Sequence, residues 1–462
     1  MKFIDREREI SSLEKFWLKS DPQLFVIYGK RRVGKTELIK QFIKNKPYIY
    51  FLSQKISEHE NLKTLSMLVG EYFDDDLLKA RSYDSWQMFF KYLEKHIKEK
   101  LIFVIDEFPY LADVNKGISS IFQAGWDEYL KHIPIFLILC GSSIAMMESE
   151  ILSHKAPLFG RRTGQMYLKS FNFKQASMFF PDLSFEEKLQ FYSVVGGNPS
   201  YLNKIEPKKS LNENFIEHFL TPEAMLFNEV EFILHEELRE PRNYLAILKA
   251  IALNKSKISE IVNETGFEKS ILHKYLFVLE DLQIIQKEYP VTEKNPSKSR
   301  KGIYKIQDQF FKFWFRYILP NKSRIEEGKV DSVLKIINSD FNLPISENYE
   351  KVALEIVKEH ENIFFEIERI SRWWDRNEEI DLVALNEKED NILFGEVKWS
   401  NKPVGTNIYE NLKRKTKLLQ WGSNNRKECY CIFSKSGFTE EMIKLAKKEG
   451  VKLFHKDLLI LK

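Results

Sequence analysis

The sequence predicts an α/β protein in three parts: a parallel β-sheet with helices on both faces, then a winged helix, then a second α/β domain. Three stretches carry that expectation. Gly29–Thr36, GKRRVGKT, directly follows the apolar run Leu24–Tyr28 and opens the helical pattern TELIKQFIK. The apolar run Leu101–Ile105 ends in two carboxylates, Asp106 and Glu107. Far downstream, the strand-like runs EEIDLVAL and NILFGEVKW hold Asp381 on one strand and Glu396 and Lys398 on the next.

The first part is residues 1–181, where short apolar runs alternate with helical patterns. Its expected strands are Leu24–Tyr28, Tyr48–Leu52, Leu101–Ile105, Ile135–Cys140 and Gln165–Leu168. GKRRVGKT fits GxxxxGK[ST] in the strand-to-helix setting that motif requires. Gly29 and Gly34 let the backbone curl so that N–H groups face phosphate oxygens. Lys35 reaches the β- and γ-phosphates, and the Thr36 hydroxyl is placed for Mg²⁺. The helix N-terminus adds a field favourable to anions. This makes the first part a P-loop NTPase core that binds ATP with Mg²⁺. Its nucleotide set is Gly29, Arg31, Arg32, Val33, Gly34, Lys35, Thr36 and Glu37. The plain alternative, an ordinary strand–turn–helix, fits the setting poorly.

Asp106 at a buried strand end would hold Mg²⁺ through water, and Glu107 would polarise the attacking water. The competing reading is a solvated acidic pair. A third run, IPIFLILCGSS, ends in Ser142 and Ser143. Ser142 at the strand tip either senses the γ-phosphate or merely closes a turn.

Composition sets outer bounds. The chain has 462 residues, room for about three domains at ~150 residues each. Hydrophobic residues at 43% and charged residues at 30% describe a globular protein, and 36 Phe argue against long disorder. A net charge of +4 is too slight to indicate nucleic acid, so any basic footprint must be local. The cysteines are Cys140, Cys429 and Cys431, which fits a reducing cytoplasm; the CxC lies in a strand-like run without a second pair for zinc. No run approaches the ~18 apolar residues of a membrane span, and MKFIDREREI lacks a signal core.

Residues 182–240 read as a helical lid, broken at Gly196–Leu202, GGNPSYL. That break is a turn, or a kink brought against the nucleotide. Residues 241–319 change pattern. The helix YLAILKAIAL precedes two short amphipathic helices around Thr265-Gly266-Phe267, a helix-turn-helix layout. Two short strands, Ile284–Glu288 and Gly302–Ile306, flank a loop with Lys294, Lys298, Arg300 and Lys301. Such a basic wing would neutralise DNA phosphates. The second helix carries a mixed set, Glu268, Lys269, His273 and Lys274, and a packing role is the rival. The aromatic helix QDQFFKFWFRYIL follows, then a charged linker, Pro320–Asp331.

The last part is 320–462, with a helix over Ser346–His360 and three strand-like runs, the last two joined by EKEDN. Glu396 and Lys398 are two apart and share a face. A carboxylate followed by E-x-K on the neighbouring strand is a metal-nuclease geometry. Asp381 and Glu396 would bind Mg²⁺, and Lys398 would position hydroxide near the scissile phosphate. A helix glutamate would complete the cluster: Glu350 first, with Glu347 and Glu355 as competitors. The rival reading is a charged surface hairpin.

Across nearly its whole length the chain resembles the archaeal-type ATPases of the STAND branch of AAA+-related P-loop proteins, which carry a C-terminal PD-(D/E)XK nuclease-like domain. The matching segments are FIDREREI with Arg6 and Glu9, GKRRVGKTEL, FVIDEFPYL, LCGSS, LFGRRTG, GGNPSYL, KIQDQFFKFWFRYI, and EEIDLVAL with GEVKW. The resemblance implies a restriction-endonuclease-like α/β fold for the last part. It implies that Arg161 or Arg162 contacts the γ-phosphate, in cis or from a neighbour, and that Pro199 feels the nucleotide state and passes it to the winged helix. The departure is Ile380, which stands where that pattern has proline before Asp381.

Together these features predict a cytoplasmic, Mg²⁺-dependent ATPase acting on DNA, with room for a homo-oligomer. Lys35, Glu107 and Arg161 or Arg162 would serve ATP hydrolysis, and Asp381, Glu396 and Lys398 DNA cleavage. A defence or mobile-element role is an analogy. The alternative is a nucleotide switch that scaffolds partners through an inactive nuclease fold.

Overall fold

The computed structural model describes residues 3–238, 240–375 and 378–461. The chain divides into two compact units, Met1–Phe179 with Gly197–Asn203, and Phe180–Gly196 with Lys204–Lys462. It thus leaves the first unit, returns for seven residues, and leaves again.

The first unit is built on strands β1 (Gln23–Tyr28), β2 (Tyr48–Leu52), β3 (Leu101–Asp106), β4 (Ile135–Gly141) and β5 (Gly164–Tyr167). They form one sheet in the order β2-β3-β4-β1-β5, every pair parallel. Its central strands are unbroken apolar runs because both faces are covered. Alternate residues serve opposite cores: Leu24, Val26, Phe103 and Leu137 pack on one side, Phe25, Ile27, Val104 and Ile138 on the other. The order also positions the site. β4 lies between the strand feeding the phosphate loop and the strand carrying the acidic pair, so Ser142 at its tip falls beside both.

In the second unit, helices Pro241–Ala252, Ile258–Thr265 and Lys269–Asp281 precede β6 (Ile285–Glu288) and β7 (Ile303–Ile306), an antiparallel pair. Gly266 ends the middle helix at φ +72°, a left-handed conformation that glycine adopts at little cost. Lys294, Lys298, Arg300 and Lys301 of the connecting loop are all exposed. The loop base is pinned: Val291 N–H donates to Arg372 O at 3.2 Å, and Arg369 donates to Glu293 O at 3.2 Å. The aromatic helix begins at Gln309 and widens into a π turn over Trp314–Ile318, with Trp314 Nε1 donating to Phe227 O.

The charged stretch Pro320–Asp331, expected as linker, contains a helix, Lys322–Glu326. One buried residue, Ile325, anchors it, and Lys322 pairs with Glu231 at 2.7 Å. Tertiary packing thereby overrides a charge-rich local pattern. A helix over Val330–Asp340 follows, and the helix expected from Ser346 starts earlier, at Asn342, and ends at Glu359.

The second sheet comprises β8 (Arg369–Trp374), β9 (Glu379–Asn386), β10 (Asn391–Lys398), β11 (Lys427–Ser434), β12 (Lys452–His455) and β13 (Leu458–Leu461). Its order is β13-β12-β11-β10-β9-β8. β8, β9 and β10 are antiparallel neighbours, whereas β10, β11 and β12 run parallel. Helices Thr406–Thr416 and Glu440–Glu449 make the two crossovers that parallel strands require. Cys429 and Cys431 lie on β11 as free thiols. No helix among the described residues is long and apolar enough to cross a membrane.

Candidate nucleotide and metal sites

The phosphate loop closes through glycine geometry. Gly29 has φ +154°, and a Cβ there would fall 2.3 Å from Leu168 O. Gly34 has φ +92° and opens the helix Lys35–Ile43. Lys35 is buried, its Nζ donating to Gly29 O and Lys30 O at 2.9 Å each, so the ammonium lies within the loop. Thr36 Oγ1 donates to Asp106 Oδ2 at 2.9 Å. A hydroxyl and a carboxylate so joined are the oxygen donors a hard divalent ion takes. The loop therefore fits a nucleoside triphosphate with Mg²⁺, Lys35 serving the phosphates and Thr36 and Asp106 the metal. The ion would neutralise charge on the phosphoryl oxygens.

Asp106 is held from several sides. Tyr50 OH donates to Oδ2 at 2.5 Å and Glu107 N–H to Oδ1 at 2.9 Å. Burial and the Asp106 charge push the Tyr50 phenol far up, so it stays a donor. Tyr50 escaped the sequence reading because an aromatic on an alternating strand looks like core. Glu107 is left-handed, φ +53°, and its Oε2 accepts from Ser142 N–H at 3.1 Å and Ser142 Oγ at 2.8 Å.

Arg6 is buried and braces the loop from outside. It donates to Val33 O at 3.3 Å and Lys169 O at 2.7 Å, pairs with Glu9, and lies over Phe171. Val33 itself points into the core. Pro199 belongs to the returning segment, and its Cγ lies 3.8 Å from where a Gly34 Cβ would be. Arg32 faces the Tyr201 ring of that segment at 5.9 Å, and Gly197 O accepts from Phe171 N–H at 2.8 Å. Arg31 donates to Tyr110 OH at 3.5 Å.

Three expected nucleotide residues are engaged elsewhere. Glu37 lies on the exposed side of its helix, 3.9 Å from Lys40. Arg161 pairs with Asp127 at 2.9 Å. Arg162 stacks on Phe159 and donates to Leu152 O. None of these contacts involves the phosphate loop. They follow from folding: the helix Ile118–Glu128 supplies Asp127, which no local pattern ties to Arg161.

The second site lies in the second unit. Asp381 Oδ2 accepts from Val397 N–H at 2.9 Å and lies 3.5 Å from Lys398 Nζ. Lys398 Nζ donates to Glu396 Oε1 at 2.8 Å. Glu396 is buried, and its Oε2 has no hydrogen-bond partner among the described residues. A buried carboxylate oxygen left so costs ~1–3 kcal/mol, which a bound cation would remove. Burial and the Glu396 charge push Asp381 up to about 6. Burial and the Asp381 charge push Glu350 up to about 7. Burial draws the Lys398 ammonium down, but Asp381 and Glu396 outweigh it and the net shift is upward.

Among the helix glutamates, Glu350 is the one whose carboxyl the Asp381 charge raises. Glu347 pairs with Lys312, and Glu355 acts on the buried phenol of Tyr192. Asp381 and Glu396 would supply oxygen donors to a divalent ion, which would activate water and polarise a phosphoryl oxygen. Glu350 acts on Asp381 through charge and does not join the two in a three-carboxylate cluster tight enough to share one ion. One member was not foreseen: Lys415, whose Nζ donates to Glu396 Oε1 at 3.2 Å.

The sheet order, the glycine loop and the Thr36–Asp106 pair together define a P-loop ATPase. Residues 3–205 match the family described as an ATPase domain predominantly from Archaea. Residues 314–415 match one described as archaeal and bacterial proteins of unknown function. An uncharacterized protein of Methanocaldococcus jannaschii is 37% identical over 438 residues, 94% of this chain and 95% of its own length. The chain belongs to this archaeal ATPase family. An uncharacterized ATP-binding protein of the same organism is 24% identical over 339 residues, 59% of this chain and 90% of its own. A solved Walker-type ATPase of Pyrococcus abyssi covers 68% of this chain and 96% of itself, with 22% identity and a TM-score of 0.51. At that identity the likeness is one of fold.

Proposed function

We propose that the chain is a Mg²⁺-dependent ATPase whose nucleotide state governs a DNA-binding winged helix and a metal-dependent nuclease domain of PD-(D/E)XK type. The observation that carries this is that Lys398 bridges Asp381 Oδ2 and Glu396 Oε1, while the buried Glu396 Oε2 has no hydrogen-bond partner among the described residues. A surface hairpin would leave these charges solvated and apart. In this reading Lys35, Thr36 and Asp106 hold Mg²⁺·ATP, and Glu107 polarises water. Asp381 and Glu396 bind the second metal, with Glu350 acting on Asp381 through its charge, and Lys398 serves the scissile phosphate. Arg161 and Arg162 act on the γ-phosphate only after leaving Asp127 and Leu152.

Coupling follows the chain. The Gly197–Asn203 segment sits on the phosphate loop and is covalently continuous at both ends with the second unit. A shift of Pro199 with nucleotide state is therefore transmitted along the backbone. The exposed lysines and arginine of the wing loop supply a phosphate-binding edge.

The test is cleavage of plasmid, single-stranded and structured DNA with Mg²⁺ or Mn²⁺, with and without ATP, alongside phosphate release. Asp381-dependent cleavage that changes with ATP supports the reading. ATP hydrolysis without any cleavage leaves the nucleotide switch with an inactive nuclease fold as the better account.

A further inference from the structure

The acidic pocket of the second unit holds two lysines on one carboxylate oxygen. Lys398 comes from β10 itself. Lys415 comes from the crossover helix Thr406–Thr416, beside the core residues Tyr409, Leu412 and Thr416. At 8% exposure its ammonium is withdrawn from water, a position that only close pairing makes tolerable. Its partner is Glu396 Oε1 at 3.2 Å, the oxygen that also accepts from Lys398 at 2.8 Å.

Oε1 is thereby saturated by two cations, while Oε2 of the same carboxylate is buried without a hydrogen-bond partner among the described residues. Asp381 shows the same asymmetry: its Oδ2 accepts from Val397 N–H and faces Lys398. Each carboxylate so keeps one oxygen turned to a cation already present. A divalent ion such as Mg²⁺ keeps several waters, so few protein oxygens suffice for it. A second ion on Glu396 would have to take Oε1, where the ammonium of Lys415 already sits.

We propose that Lys415 is a positioning residue that stands in for a second metal ion on Glu396, so that the pocket takes one divalent cation, on Glu396 Oε2 with Asp381. This rests on the metal-dependent reading above and specifies its stoichiometry. Nothing in the helix pattern alone marks Lys415, since lysines at neighbouring positions 413 and 417 look equivalent in sequence.

The experiment is a Mn²⁺ titration of the full-length chain without nucleotide, by calorimetry and by the EPR signal of free Mn²⁺. Asp381→Asn identifies the ions that belong to this pocket. The wild type is expected to bind one Asp381-dependent ion. Lys415→Met removes a like charge beside the ion, so either a second ion appears or the first binds roughly tenfold tighter. Lys415→Gln, which keeps a donor for Oε1 without the charge, should behave the same way and serves if the Met variant does not fold. Lys415→Arg should restore the wild-type count.

Two Asp381-dependent ions in the wild type would overturn the proposal. So would unchanged or weaker binding in the neutral variants, which would make Lys415 a prop for Glu396 and nothing more. Absence of any Asp381-dependent Mn²⁺ in the wild type would instead sink the metal-dependent reading, and the proposal with it.

Discussion

Ser142 donates two hydrogen bonds to a single oxygen of Glu107, from its backbone N–H at 3.1 Å and its hydroxyl at 2.8 Å. The residue at the tip of β4 thus holds the carboxylate that follows Asp106. Two donors on one oxygen fix the direction of the carboxylate. Ser142→Ala removes the hydroxyl and keeps the N–H bond. It should lower kcat for ATP about tenfold with KM changed less than about threefold, because positioning is lost and nucleotide contacts are mostly kept. Steady-state phosphate release measures this. An unchanged kcat would show that the hydroxyl plays no part in turnover.

Lys35 and Glu107 should separate binding from chemistry. Lys35→Ala removes the cation lying in the loop, and tight ATP binding should be lost. Glu107→Gln keeps the loop intact and should slow hydrolysis by about 10²–10⁴-fold while preserving affinity, the range for loss of a general base. Equilibrium binding of a fluorescent ATP analogue and single-turnover hydrolysis distinguish the two effects. Hydrolysis at the wild-type rate by Glu107→Gln would assign the base elsewhere.

Gly197 has no room for a side chain: a Cβ would fall 1.7 Å from Phe171 O, the region it binds through Gly197 O. Gly197→Ala must push the returning segment off the first unit, moving Pro199 from Gly34. The expected cost is ~2–4 kcal/mol in stability, the range of severe backbone clashes. ATP affinity should fall as well. Thermal melts with and without Mg²⁺·ATP report both. A variant with wild-type melting and affinity would mean that the segment is not needed for the loop.

The basic wing makes a salt-dependent claim. Lys298, Arg300 and Lys301 are exposed, while the loop base is fastened to β8 through Val291 and Glu293. The triple alanine variant should therefore keep its fold and lose DNA affinity. The slope of log K against log salt should flatten by about 0.9 for each phosphate contact removed. Fluorescence anisotropy across a salt series reads the slope directly. An unchanged slope rules out the wing as a DNA contact.

Features that local sequence encodes were legible, and features that topology creates were not. The strands of the first sheet could be read because burial on both faces leaves uninterrupted apolar runs such as Leu101–Ile105. The two motifs mark Thr36 and Asp106 as belonging to one site, and their side chains touch. The Ser142–Glu107 contact depends on β4 lying between β1 and β3, which no local pattern states. Arg161 illustrates the same limit: it lies in a turn, and its partner Asp127 is 34 residues away on a helix. Lys415 was invisible for a further reason. A lysine in an amphipathic helix reads as surface, and only the packed helix shows which one faces Glu396.

Lys398 and Asp381 should fail in different ways. Lys398 touches Glu396 Oε1 at 2.8 Å and Asp381 Oδ2 at 3.5 Å, so it neutralises the pocket and leaves Glu396 Oε2 for a metal. In the proposed reaction its ammonium serves the phosphate and the attacking water. Lys398→Ala should cut DNA cleavage by about 10²-fold or more, with Mn²⁺ affinity equal to or above wild type, since a like charge has gone. Asp381→Ala removes an ion ligand and should abolish both cleavage and the corresponding Mn²⁺ binding. Cleavage by single-turnover gel assay and Mn²⁺ uptake by calorimetry give the two readouts. If Asp381→Ala cleaves as well as wild type, the activity belongs to another site. If Lys398→Ala loses metal and cleavage together, the lysine supports the fold of the pocket and has no separate part in the chemistry.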